Sequence, residues 1–168
     1  MNYSYWELKE WFTNIDFTIV GSGIVGLNCA LELKKKHPKA KILILEKGML
    51  PQGATTKNAG FACFGSLSEI EQEVFNLVDK RWQGLQLLRN NLGDANIDFQ
   101  QNKGFELCES EKFFQECIAE KERINNLLKP IFKSDVFSTC DNTFGFQKVH
   151  QQYIVNNFEG QIDTGKMA

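Results

Sequence analysis

One hexapeptide constrains this chain more than any other feature: Gly21-Ser22-Gly23-Ile24-Val25-Gly26, set between two segments of opposite character. Before it, Asp16-Phe17-Thr18-Ile19-Val20 is apolar and β-branched, which predicts a buried strand. After it, residues 24–36 carry Ile24, Leu27, Ala30, Leu31 and Leu33 at helical spacing. Lys34, Lys35 and Lys36 fall in the last turn, at the negative end of the helix dipole, and Pro38 prevents continuation. A second apolar strand follows, Lys41-Ile42-Leu43-Ile44-Leu45-Glu46. Strand, glycine turn, helix and strand in this order predict a parallel βαβ unit and an α/β fold.

Each glycine has its own reason. Gly21 permits the sharp exit from the strand. Gly23 lets a diphosphate approach the backbone, and Gly26 lets the helix pack close to the strand. Ser22, Ile24 and Val25 complete a turn whose N–H groups and helix dipole favour an anion. Glu46 ends the second strand roughly 20 residues after the last glycine, where an acid accepts hydrogen bonds from a ribose. A carboxylate there also repels a 2′-phosphate, which argues against NADP. The fingerprint alone fits FAD and NAD equally, and a βα turn without ligand remains an alternative.

The rest of the chain is less regular. Residues 4–13 mix Trp6, Leu8, Trp11 and Phe12 with Glu7, Lys9 and Glu10, which predicts a short amphipathic helix on the domain surface. Residues 47–66 form a long loop. Ser68 and Glu71 make a capping-box pattern that opens a helix bearing Ile70, Val74, Leu77, Val78, Leu85, Leu88 and Leu92, with Gly93 as its stop. Asn102-Lys103-Gly104 between Phe99-Gln100 and Phe105-Glu106-Leu107 predicts a hairpin. Ser110 predicts the cap of a helix with Phe114, Cys117, Ile118, Ile124 and Leu128 inside, limited by Pro130. Strands are expected at 135–138, 144–149 and 152–158, and Asp163 has the character of a helix N-cap.

Composition excludes several classes. Net charge is -2, so nothing draws the chain to nucleic acid or an anionic membrane. No apolar run is long enough to span a bilayer, and residues 1–8 lack a targeting pattern. Five cysteines, Cys29, Cys63, Cys108, Cys117 and Cys140, form no CxxC pair, so neither a metal site nor a disulfide framework is expected. Free, mostly buried thiols in a reducing cytoplasm are the plain reading. The 14 phenylalanines predict a substantial core, mostly in the second half. His37 reads as solvated and His150 as structural. Cys63 reads as a packed residue, and Lys121, Glu122 and Arg123 as a solvated helix face.

The loop Glu46-Lys47-Gly48-Met49-Leu50-Pro51-Gln52-Gly53-Ala54-Thr55-Thr56-Lys57-Asn58-Ala59-Gly60-Phe61 resembles the D-amino-acid-oxidase-like flavoproteins, such as glycine and sarcosine oxidases. Their ribose-binding acid is followed by a similar Gly-Ala-Ser/Thr-x-Arg-Asn-x-Gly segment. Ser4-Tyr5-Trp6-Glu7 and Phe158-Glu159-Gly160-Gln161-Ile162-Asp163-Thr164-Gly165-Lys166 are similar to other parts of that family. The resemblance implies FAD as cofactor, with Lys47 beside the ribose acid and with Thr55 and Thr56 near the pyrophosphate and ribityl chain. It places Lys57 and Asn58 beside the flavin, and Ala59 and Gly60 where the backbone passes the ring. Lys57 departs from the commoner Arg and gives charge without a bidentate fork. It is not a His, which excludes covalent attachment there. Thr164 stands where Pro is commoner.

The expectation is a Rossmann-like FAD-binding βαβ unit followed by the start of an α+β substrate domain. Residues 1–95 would belong to the first, 96–160 to the second, and 161–168 would lead back to the first. Two strands joined by one helix cannot cover both faces of a doubly wound sheet, so the fold is expected to be incomplete here. The chain reads as the N-terminal part of an enzyme that oxidises the C–N bond of a small amine or amino acid, inactive by itself, with no catalytic residue assignable. The alternatives are an NAD-binding dehydrogenase and a non-catalytic nucleotide-binding module.

Overall fold

β-branched and aromatic residues give the first strand its extended form, and an uninterrupted helical pattern follows the glycines. In the computed structural model, which describes residues 2–67 and 75–168, these become β1 (Phe17–Val20) and α2 (Ile24–Lys36). The chain divides into two units, one running up to Ala59 with Thr164–Lys166 and Ala168, the other Gly60–Asp163 with Met167.

In the first unit, α1 (Tyr5–Trp11) opens on a complete capping box: the Ser4 Oγ accepts the Glu7 N–H at 3.2 Å, and Glu7 accepts the Ser4 N–H at 2.7 Å. Tyr5, Trp6, Leu8 and Trp11 are exposed on it. β2 (Ile42–Leu45) pairs parallel with β1, Phe17 opposite Ile42 and Val20 opposite Leu45. α2 joins the two strands and packs on both, as a βαβ crossover does. The expected parallel unit is therefore present. No residue among 2–59 is fully buried.

The second unit holds the core. Its elements are β3 (Phe61–Ala62), α3 (Phe75–Leu92), β4 (Gly104–Glu106), α4 (Glu111–Phe132), β5 (Phe137–Asp141), β6 (Gln152–Asn156) and β7 (Gly160–Gln161). β6 is central in an antiparallel sheet of order β4-β6-β5, and β3 pairs antiparallel with β7. Phe64, Val78, Phe114, Cys117, Ile124, Leu128, Phe132, Phe137 and Ile154 form one buried cluster. Of the phenylalanines in the second half, Phe114, Phe132 and Phe137 are core, whereas Phe105, Phe144 and Phe146 are exposed. A last turn, α5 (Thr164–Met167), follows Asp163.

Several expectations need correction. Gln100 bridges to Gln161, and β4 pairs with β6, so 99–107 is not a hairpin. The distant strands offer longer ladders than the local turn could. α4 runs past Pro130 to Phe132 and ends at Lys133, whose φ is 59°. Near a helix end the bond lost to Pro costs little beside the burial of Phe132. Residues 144–149 lie in a turn region, not a strand. By packing, the chain divides at 59/60, and α3 buries Val78 in the second unit's core and sets Trp82 and Leu85 against it. The cysteines are free but not mostly buried: Cys29 and Cys63 are exposed, Cys140 is intermediate, and only Cys108 and Cys117 are buried. The capping box at Ser68 and Glu71 lies outside the described residues.

Candidate functional site

At the carboxyl end of β1 the chain must turn at once into α2. Gly21 does this with φ at 97°, a conformation that side chains disfavour, while its N–H still donates to the Leu45 carbonyl at 2.7 Å. A Cβ on Gly26 would overlap the Gly21 carbonyl oxygen and crowd the Ile19 side chain. Gly26 is thus fixed by helix–strand packing, for the reason its spacing suggests. Gly23 is the helix N-cap and has no side chain to cap with. A Cβ there would stand 3.0 Å from the Thr55 Oγ1, so in this fold its bareness also makes room for Thr55.

Thr55 takes over the capping. Its Oγ1 accepts the Ile24 N–H at 3.0 Å from a loop 31 residues away. The N–H groups of Val25 and Gly26 have no acceptor among the described residues. Free donors, the positive end of a 13-residue helix and no acidic side chain in its first turn make a donor set suited to an anion.

Glu46 lies directly after β2. Its Oε2 accepts both the Ser22 N–H and the Ser22 hydroxyl, each at 2.8 Å, and its Oε1 accepts the Gly48 N–H at 3.2 Å. The Ser22 N–H, then its hydroxyl, then the Gly48 N–H hold this carboxyl down to about 2, far below the ordinary 4.5. It stays ionised and exposed. Being exposed, it can still accept from a ligand hydroxyl.

The remaining candidates fall into three groups. Thr56 is turned to its own loop: its Oγ1 donates to the Pro51 carbonyl at 3.1 Å, and its carbonyl accepts the Thr164 hydroxyl at 3.5 Å. Asn58 braces the same turn, its Nδ2 donating to the Ala54 and Thr55 carbonyls at 2.8 and 2.9 Å. Lys47, Lys57 and Ala59 are exposed. Gly60 belongs to the second unit. It has φ at 75°, its carbonyl accepts the Ile162 N–H at 2.8 Å, and a Cβ would overlap the Ile162 carbonyl oxygen. The turn, Glu46 and Thr55 are therefore brought together, whereas Thr56 and Asn58 shape the loop. The double grip of Ser22 on Glu46 and the capping by Thr55 had no sequence signal beyond residue type.

Elsewhere the polar groups serve the fold. His150 stacks on Phe114 with ring centroids 3.9 Å apart, and its Nε2 meets the Glu111 carboxylate at 2.7 Å. A cavity of about 500 Å³ in the second unit is lined by Arg81, Glu106 and Glu159 among others. Those three bond the backbone of the segment beside it: Arg81 to the Phe64 carbonyl, Glu159 to the Phe64 N–H and Glu106 to the Leu67 N–H. Burial pushes the Cys108 thiol up to about 11, so it is no nucleophile. Among the described residues, no cluster is arranged to hold a metal and no helix is long and apolar enough to cross a membrane.

A parallel βαβ unit with a glycine turn and a strand-end acid defines a class of α/β proteins. Within that class, residues 16–136 match the family described as FAD dependent oxidoreductase, and the chain belongs to that family. No protein of curated function matches the sequence. Among solved structures it is similar to L-amino acid deaminase from Proteus myxofaciens (17% identity, TM-score 0.64), covering 92% of this chain and 35% of that one. Iminodiacetate oxidase from Chelativorans sp. BNC1 gives 18% identity and a TM-score of 0.61, covering 90% and 42%. Glycine oxidase from Geobacillus kaustophilus gives 20% and 0.55, covering 90% and 41%. At these identities the likeness is one of fold. The chain spans well under half the length of these structures.

Proposed function

We propose that this chain supplies the FAD-binding turn of an oxidoreductase that oxidises the C–N bond of a small amine or amino acid. One observation carries the reading: the unpartnered N–H groups at the start of α2 and the ionised Glu46 carboxylate flank one glycine turn. That donor and acceptor set fits a dinucleotide, with the diphosphate on the turn and the ribose hydroxyls on Glu46. The helix N-terminus would hold the diphosphate with Thr55 beside it. Glu46 would orient the adenosine end, and Lys57 would offer positive charge near the ring. When bound, the flavin supplies the two-electron acceptor for the substrate's C–H and nitrogen, and the protein orients and shields.

Family membership and the fold likeness to amine- and amino-acid-acting enzymes support this reading. We read the first unit as part of a Rossmann-type FAD domain and the second as part of a substrate domain. The free cysteines favour a reducing, cytoplasmic setting. The activity itself belongs to the whole protein. Purified protein is expected to be yellow, with flavin absorbance that leaves with FAD on denaturation. Colourless protein that binds NADH and not FAD would overturn the assignment.

A further inference from the structure

Ser22 is the one residue of the glycine turn with a polar side chain, and that side chain points at Glu46. Its N–H and hydroxyl reach the same oxygen, Oε2, each at 2.8 Å. Two donors from one residue fix both the place and the rotation of a carboxylate, which a single backbone N–H would leave free to swing. The Gly48 N–H steadies the other oxygen at 3.2 Å, on the side not taken by Ser22. The Gly21 N–H to Leu45 carbonyl bond, 2.7 Å, keeps turn and strand end in register, so the pair is held from both sides.

We infer that the Ser22 hydroxyl is a positioning residue, which holds the Glu46 carboxylate in the orientation that takes the cofactor's ribose. This rests on the assignment of the turn to FAD. The low acid range of Glu46 is in keeping with it. A serine that merely closed the turn would alter folding stability and the Glu46 titration and leave the FAD affinity unmoved.

The test uses Ser22→Ala, Ser22→Thr and Glu46→Gln, read by FAD fluorescence quenching on the purified protein. Carbon-detected NMR titration of the Glu46 carboxyl in ligand-free protein adds a readout independent of FAD. Ser22→Ala is expected to weaken FAD binding about tenfold, the effect of losing one hydrogen bond to a charged group at a partly exposed site. The Glu46 titration should move up toward the ordinary carboxylate range. Ser22→Thr should keep both properties. If Glu46→Gln binds FAD weakly while Ser22→Ala matches wild type in affinity, this inference alone is overturned, whatever the Glu46 titration does. If Ser22→Thr, with an unchanged melting temperature, is as weak as Ser22→Ala, it is overturned too. If Glu46→Gln binds FAD as tightly as wild type, the FAD assignment itself falls, and this inference with it.

Discussion

Gly26 and Glu46 carry the sharpest consequences at the level of single residues. A methyl group on Gly26 meets the Gly21 backbone carbonyl, which cannot swing aside as a side chain can. Gly26→Ala is expected to cost about 3 kcal/mol or more, read as a shift of the urea midpoint of the first unit. Glu46 gives a pH dependence with a defined sign. Its carboxyl is held below the ordinary 4.5, so its contribution to the folded state is complete above about 4.5 and is lost as pH falls toward about 2. Unfolding midpoints measured from pH 6 to pH 2 should fall through that window, and Glu46→Gln should flatten the fall. The glycine turn was legible in the sequence because each glycine answers to a local constraint. Thr55 was legible only by type. Its partner, the Ile24 N–H, is 31 residues away, and no local pattern encodes that distance.

Elements followed the sequence where local signals were strong. α2 occupies the expected residues 24–36, and Ser110 caps α4 through the Phe113 N–H at 3.2 Å. They departed from it where pairing is long-range. β4 found β6 some fifty residues away, so the turn signal at Asn102-Lys103-Gly104 did not decide the outcome. Asn125 shows the same limit. It sits inside α4, buried, and its side chain exchanges two hydrogen bonds with the Phe137 backbone, at 2.9 and 2.8 Å. A mid-helix Asn reads as a weak helix former, whereas here it pins α4 to the first residue of β5. Asn125→Leu should destabilise the second unit by about 1–3 kcal/mol, since it leaves a buried backbone N–H and carbonyl unpaired. Urea denaturation followed by tryptophan fluorescence checks this, because Trp82 packs against that core.

The molecule as a whole is uneven. Every member of the buried cluster lies in the second unit, whereas the first has a two-stranded parallel sheet and no fully buried residue. Parallel strands are ordinarily covered on both faces, and within residues 1–168 these two pack with one helix. Amide exchange should therefore be at least ~tenfold slower for Ile124, Leu128 and Ile154 than for Phe17–Val20. Comparable protection in both segments would show that the first unit is as firmly packed as the second. The α/β class and the parallel unit could be read from the first 46 residues. The division into compact units could not, because it depends on where Val78 and Trp82 find their core. Whether the turn at residues 21–26 and Glu46 together take FAD is decided by one ratio. That ratio is the FAD dissociation constant of Glu46→Gln over that of the wild-type protein. A ratio of about ten or more is expected, the loss of a charge-assisted hydrogen bond to the ribose; a ratio near one would rule that role out.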